Sequence, residues 1–212
     1  MNNRDYFSII FANAWHRRTS DFGWRTYTDV DGDKTTDFHE GVDEASGKSN
    51  RLYPAEYGII TKIGTSTGAG KYLYVWYAGA YHFFCHFASI SVRVGQVVSP
   101  STMLGMSGST GHSTGIHLHY GIRTTMARQS WINPDKWIAE HQPVKYTRYV
   151  NATRGLNVRT KPSILSTRIT TLKNNTEVVV RLNYKGWAYI SYKVGTMTKY
   201  GWVSSEYLSK ER

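Results

Sequence analysis

The sequence predicts an all-β chain, mainly antiparallel, built as a larger first unit and a small second one. Three observations lead there. Nineteen glycines are spread through 212 residues, and short β-branched and aromatic runs lie between them, which favours strands over long helices. Strand-sized segments recur with turn residues between them. The charge is divided unevenly: residues 1–143 carry 13 Lys and Arg against 12 Asp and Glu, whereas residues 144–212 carry 13 against 3. A break of that kind marks two units with different partners.

Taken in order, the chain opens with apolar residues clustered over 6–15, read as a short helix. Residues 20–25 are a turn signal, followed by the acidic stretch DVDGDKTTD. Asp29, Asp31, Asp33 and Glu40 fall at positions 1, 3, 5 and 12 of a calcium loop, but position 6 is Lys34 where the sharp turn needs glycine. A solvated acidic loop is therefore expected. Strands are expected over 57–63, 72–77, 81–87, 92–98, 103–107 and 117–122. A short helix over 134–138 has proline at its start. The charge balance changes around His141–Val144, giving domains at 1–140 and 149–212 with a linker at 141–148. The second unit has strands over 156–159, 177–183, 187–192 and 201–203, a spacing that suits a small barrel.

Composition excludes several classes. One cysteine, Cys85, rules out an intrachain disulfide and a four-Cys zinc site; inside FFCHF it reads as a buried small apolar residue. No apolar run approaches the roughly 20 residues of a membrane helix, so no membrane insertion is expected. The first residues lack the apolar segment and cleavage site of a secretory signal. The net charge of +11 favours polyanions, but no base-reading motif is visible, and nucleic acid is not expected as a partner.

The chemistry concentrates in GHSTGIHLHYGIR, residues 111–123. On a strand, residues i and i+2 share a face, so His117 and His119 point into one space with Leu118 packed behind. Imidazole is the commonest metal-binding side chain near neutral pH. His39 and Asp43 are four apart, and Gly41 and Val42 between them argue for a loop entering a strand rather than a helix. By alternation over 81–87, His82, Phe84 and His86 share one face, and Phe83, Cys85 and Phe87 the other. Two His and one Asp form a ligand set suited to Zn²⁺. His16, His112 and His141 lie near the ends of the first unit or in a turn, and His82 reads as a groove or surface residue.

FHEGVD, the lone His of FCHFASISVRVGQVV and LGMSGSTGHSTGIHLHY together resemble the lysostaphin-type (LytM-like) zinc endopeptidases that cut peptidoglycan cross-bridges, over about residues 22–134. The resemblance implies a LytM-like β-sheet peptidase domain in which His39, Asp43 and His119 bind zinc. His86 and His117 would flank the metal as catalytic residues, one moving protons and one stabilising the oxyanion, in an order left open. It also implies an oxyanion-holding Tyr ahead of the first His, for which Tyr27 is the candidate. The LNVRTKP segment, GWAYI and GWVSSEYL resemble bacterial SH3 domains of cell-wall enzymes. Trp187 and Trp202 follow glycines at strand starts and are expected in that domain's core.

The implied protein is a monomeric, zinc-dependent peptidoglycan hydrolase. It would cleave amide bonds in the stem peptide or cross-bridge of Gram-positive walls, its basic SH3-like domain holding the wall. The expectation is a phage endolysin, made in the host cytoplasm and acting on the wall after release. The alternatives are a non-catalytic wall-binding protein that kept the fold, or a secreted, lysostaphin-like bacteriocin.

Overall fold

The computed structural model describes residues 3–28, 33–127, 130–141 and 145–211. Two compact units meet in sequence between residues 142 and 143. The first contains α1 (Asn3–Ile10), β1 (Arg17–Ser20), β2 (Gly23–Thr28), β3 (Lys34–His39), β4 (Val42–Ala45), β5 (Arg51–Leu52), β6 (Gly58–Ser66), β7 (Gly70–Tyr77), β8 (Ala80–Ile90), β9 (Val97–Val98), β10 (Gly105–Ser107), β11 (His117–Arg123), β12 (Trp131–Ile132) and α2 (Pro134–Glu140). Its main sheet runs β1-β4-β11-β8-β7-β6-β9, with β10 paired to β5 and β8, and β12 to β11. β2 and β3 form a separate two-stranded ribbon.

β11 shows why the sheet has two different faces. Leu118, Tyr120 and Ile122 alternate into the core and are fully buried, while His117 and His119 point the other way. The Tyr120 hydroxyl lies 2.6 Å from both Tyr6 Oη and His82 Nδ1. Tyr6, Phe7 and Ile10 of α1 are buried, each such side chain being worth about 1.5–3 kcal/mol of apolar transfer. Asn133 caps α2 by accepting from the backbone N–H of Asp135 and Lys136, and Trp137 of that helix packs its ring 4.7 Å from that of His82. Side chains of both helices thus pack behind β8 and β11, on the side away from His117 and His119.

Several expectations for the first unit change. The first helix ends at Ile10, because Ala12 and Asn13 adopt left-handed φ of 49° and 62°; Trp15 lies beyond it, 63% exposed. Residues 34–37 of the acidic stretch are strand rather than loop, part of β3 in the β2–β3 ribbon, with Arg25 opposite Asp37 and Gly23 opposite His39; residues 29–32, Asp29 and Asp31 among them, lie outside the described residues. Only Val97–Val98 of the segment 92–98 is strand, since Gln96 turns back to hydrogen-bond the Arg93 carbonyl. His82 is a fully buried core residue, not a groove or surface one.

The second unit has β13 (Tyr146–Val150), β14 (Leu156–Arg159), β15 (Arg168–Leu172), β16 (Glu177–Tyr184), β17 (Trp187–Val194), β18 (Met197–Ser204) and β19 (Leu208–Ser209), in one sheet ordered β15-β14-β18-β17-β16-β13-β19. β13 begins at Tyr146, so residues 146–148 of the expected linker are strand; residues 142–144 lie outside the described residues. Lys185 and Gly186, with φ of 48° and 79°, make the two-residue turn between β16 and β17 in the left-handed pair of conformations that fits hairpin twist. The core is built from Val150, Leu156, Val158, Val178, Val180, Ala188, Ile190 and Val203. Trp202 is buried as expected, with the rings of Tyr184 and Tyr189 beside it. Trp187 is only half-buried, because it alternates with the inward-facing Ala188 and Ile190.

Candidate metal centre

Three neighbouring strands and a ribbon end bring the histidines together. β4 pairs with β11 so that Asp43 lies opposite His119, and β3 delivers His39 one bend before β4. His39 Nε2 lies 3.0 Å from His119 Nδ1 and 3.2 Å from Asp43 Oδ1, and His119 Nδ1 lies 3.0 Å from the same oxygen. Gly41 makes this approach possible: a Cβ there would sit 2.5 Å from the Tyr120 carbonyl oxygen and 2.8 Å from His119 Nε2.

The donor chemistry fits a metal ion. His39 Nδ1–H donates to the Asp21 carbonyl at 2.8 Å, which fixes the tautomer and leaves Nε2 as a bare lone pair. That lone pair faces a carboxylate oxygen, a repulsive pairing that a cation between them would turn into attraction. Ligands about 2.0–2.1 Å from a tetrahedral zinc sit roughly 3.3 Å apart, close to the separations here. His39, Asp43 and His119 are the one group of three such residues with converging donor atoms among the described residues.

His86 and His117 complete the constellation without joining the triangle. Their rings are 4.5 Å apart. His86 Nδ1–H donates to the Thr110 carbonyl at 2.8 Å, and His117 Nδ1–H to the Gly115 carbonyl at 2.9 Å. Both therefore keep a free Nε2, and that of His117 lies 3.8 Å from Asp43 Oδ1. His86 departs from the expected alternation. It has φ of 61°, a bulge-like position that re-aims one side chain. It thus leaves the face of His82 and Phe84, which pack on Tyr120, and turns to His117 and His119. Cys85 is buried, its thiol pushed up by burial and then by the charge of Asp43.

Burial pushes His86 down from 6.5 to about 4, with the Thr110 hydrogen bond opposing and the charges of His117 and His119 adding to the fall. Burial would raise Asp43, but the imidazoles of His119 and His39 outweigh it when they carry a proton on the nitrogen that faces the carboxylate, and they hold the carboxyl well below the usual range in the metal-free protein. The sign for stability follows. Between pH 6.5 and about 4 the unfolded chain protonates His86 and the folded chain does not, so stability is complete above 6.5 and is lost as pH falls toward 4. Asp43 adds a further loss at pH values below the usual carboxylate range. Urea unfolding of chelator-treated protein at several pH values between 8 and 4 should show a falling midpoint below 6.5; a flat profile would contradict this.

Arg25 and the carbonyls of Asp21 and Thr110 are parts of the site that the sequence reading does not reach. The carbonyls carry no side-chain signal, and Arg25 is placed only by the ribbon register. Tyr27 lies on the Arg25 face of the ribbon, its ring 5.2 Å from the guanidinium carbon. It is paired with Thr35, four positions from His39.

Residues 37–134 match the sequence profile of Peptidase family M23, and residues 154–209 that of the bacterial SH3 domain. The chain carries an M23 peptidase domain, of a metallopeptidase family, followed by a bacterial SH3 domain. It is similar to peptidoglycan DD-endopeptidase ShyA of Vibrio cholerae, 31% identical over 116 residues that make up 51% of this chain and 27% of that protein. It is also similar to DD-carboxypeptidase/endopeptidase Mpg of Neisseria meningitidis, 32% identical over 111 residues, 52% of this chain and 25% of that one. The chain thus spans about a quarter of the length of these curated relatives. In fold it resembles the catalytic domain of the antimicrobial peptidase lysostaphin from Staphylococcus simulans, with a TM-score of 0.51 at 22% identity, covering 59% of this chain and 93% of that one.

Proposed function

We propose that this protein is a zinc-dependent peptidoglycan endopeptidase that cleaves amide bonds in the stem peptide or cross-bridge of bacterial walls. The observation that carries the reading is the convergence of His39 Nε2, Asp43 Oδ1 and His119 Nδ1 within 3.0–3.2 Å, flanked by two imidazoles with free Nε2 atoms. The names of ShyA and Mpg, both peptidases of DD type, support the substrate class. Bound zinc would supply Lewis-acid polarisation of a carbonyl and a water whose pKa falls to about 7. His86 and His117 present Nε2 to the same space. One accepts a proton during attack and passes it to the leaving amine. The other donates to the oxygen on which charge develops. Burial keeps His86 neutral at pH 7.

The finer reading is a monomeric phage-type endolysin acting on Gram-positive walls after release. The strongly basic SH3 domain supports it, because 13 Lys and Arg against 3 Asp and Glu over residues 144–212 favour an anionic wall polymer. No described helix is long and apolar enough to cross a membrane. The test is digestion of purified Gram-positive walls, with fragments read by mass spectrometry. Chelator-sensitive release of new amino termini is expected, and release of reducing sugar ends alone would contradict the reading. A chain ending near Pro143 should still cut soluble muropeptides while no longer pelleting with walls. Undiminished pelleting would remove the SH3 domain from targeting.

A further inference from the structure

We infer that Arg25 is a positioning residue for the metal centre, holding Asp43 as a one-oxygen ligand and so keeping a coordination position open. This rests on the zinc reading above. Asp43 Oδ1 is the oxygen inside the donor triangle. Its other oxygen, Oδ2, lies 3.4 Å from Arg25 Nη1. The same Nη1 donates to Ser20 Oγ at 2.8 Å, and Ser20 is the register partner of Asp43 across β1 and β4.

The guanidinium is itself held. Nε and Nη2 fork onto the Asp37 carboxylate at 2.8 and 3.3 Å, and Asp37 sits directly across the ribbon from Arg25. The rigid guanidinium fork matches a carboxylate in a way lysine's point charge does not. One edge of the fork is thus fixed by Asp37, and the remaining nitrogen is aimed at Ser20 and Asp43. With Oδ2 occupied by a cation's hydrogen bond, Asp43 cannot swing both oxygens onto one ion. Three protein donor atoms then leave the fourth tetrahedral position for substrate or water, the arrangement of a catalytic rather than a structural zinc site.

Arg25 also ties the β2–β3 ribbon to the centre. Asp21 lies between β1 and β2 and lends its carbonyl to His39, so the chain that positions one ligand's tautomer also positions the other ligand's carboxylate. Supporting partners of metal ligands typically contribute 10–100-fold in affinity.

The experiment measures zinc affinity by chelator competition and the visible spectrum of the cobalt-substituted protein, for wild type, Arg25→Ala, Arg25→Lys and Asp37→Asn, with circular dichroism as the control for folding. Arg25→Ala should weaken zinc by about 10–100-fold and reduce cobalt absorption intensity, as bidentate Asp43 raises the coordination number. Arg25→Lys should restore part of the affinity. Asp37→Asn, which frees the fork without touching Arg25, should shift both readouts in the same direction and keeps the test open if Arg25→Ala fails to fold. Zinc affinity within twofold of wild type and an unchanged cobalt spectrum in the folded variants would overturn the inference. Absence of zinc binding in the wild type would instead overturn the metal reading on which it rests.

Discussion

Replacing His119 with alanine is expected to strip the protein of zinc and abolish hydrolysis. Nδ1 of this residue lies 3.0 Å from both other donor atoms, so its removal leaves one imidazole and one carboxylate. Two ligands do not make a zinc site of either the structural or the catalytic kind. The loss should exceed the roughly 10–100-fold that a supporting residue contributes. Equilibrium dialysis with zinc, followed by metal analysis of the retained protein, measures it directly. Retention of stoichiometric zinc by this variant together with its loss from His117→Ala would show that the two histidines of the pair have been assigned in the wrong order.

His86→Ala and His117→Ala are expected to behave in the opposite way, keeping zinc and losing turnover. Neither side chain supplies a donor atom to the triangle, and each has its Nδ1 committed to a backbone carbonyl. What each offers is an Nε2, not bound to a backbone carbonyl, beside the His39–Asp43–His119 triangle. Loss of a positioned acid–base group costs about 10²–10⁴-fold in rate, and kcat should fall with KM little changed, because the interaction matters most where charge is moving. Steady-state hydrolysis of a synthetic wall peptide, with zinc content measured on the same samples, separates this outcome from metal loss. Full activity in either variant would remove that residue from the chemistry.

The part of this centre visible in the sequence is the part that obeys simple periodicity. His117 and His119 share a face because β11 is a regular strand, and Leu118 packs behind them with no exposure. The pairing of His39 with Asp43 is readable from its resemblance, and Gly41 between them has a physical reason in the close approach of the His119 ring. His86 defeats the same reasoning. A left-handed φ at a non-glycine residue in mid-strand breaks the alternation, and nothing in FCHFAS announces it. The β2–β3 ribbon is hidden for a different reason. Trp24 is 77% exposed and Phe38 43%, so the ribbon does not alternate apolar-in and polar-out as a half-buried strand does. Its acidic residues read as loop, and Arg25 falls at the end of the turn signal at 20–25. In the second unit the strands are legible from alternation and Trp202 is buried as expected, whereas Trp187 is only half-buried. Trp187 alternates with the inward-facing Ala188 and Ile190, which is why its ring stays partly exposed.

Anomalous diffraction at the zinc absorption edge, from crystals of protein purified without chelator, asks the central question in one measurement. The expected result is a single strong peak about 2.0–2.1 Å from His39 Nε2, Asp43 Oδ1 and His119 Nδ1, with His86 and His117 outside bonding distance. A peak bonded to His86 or His117, or no peak within the first domain, would contradict the account.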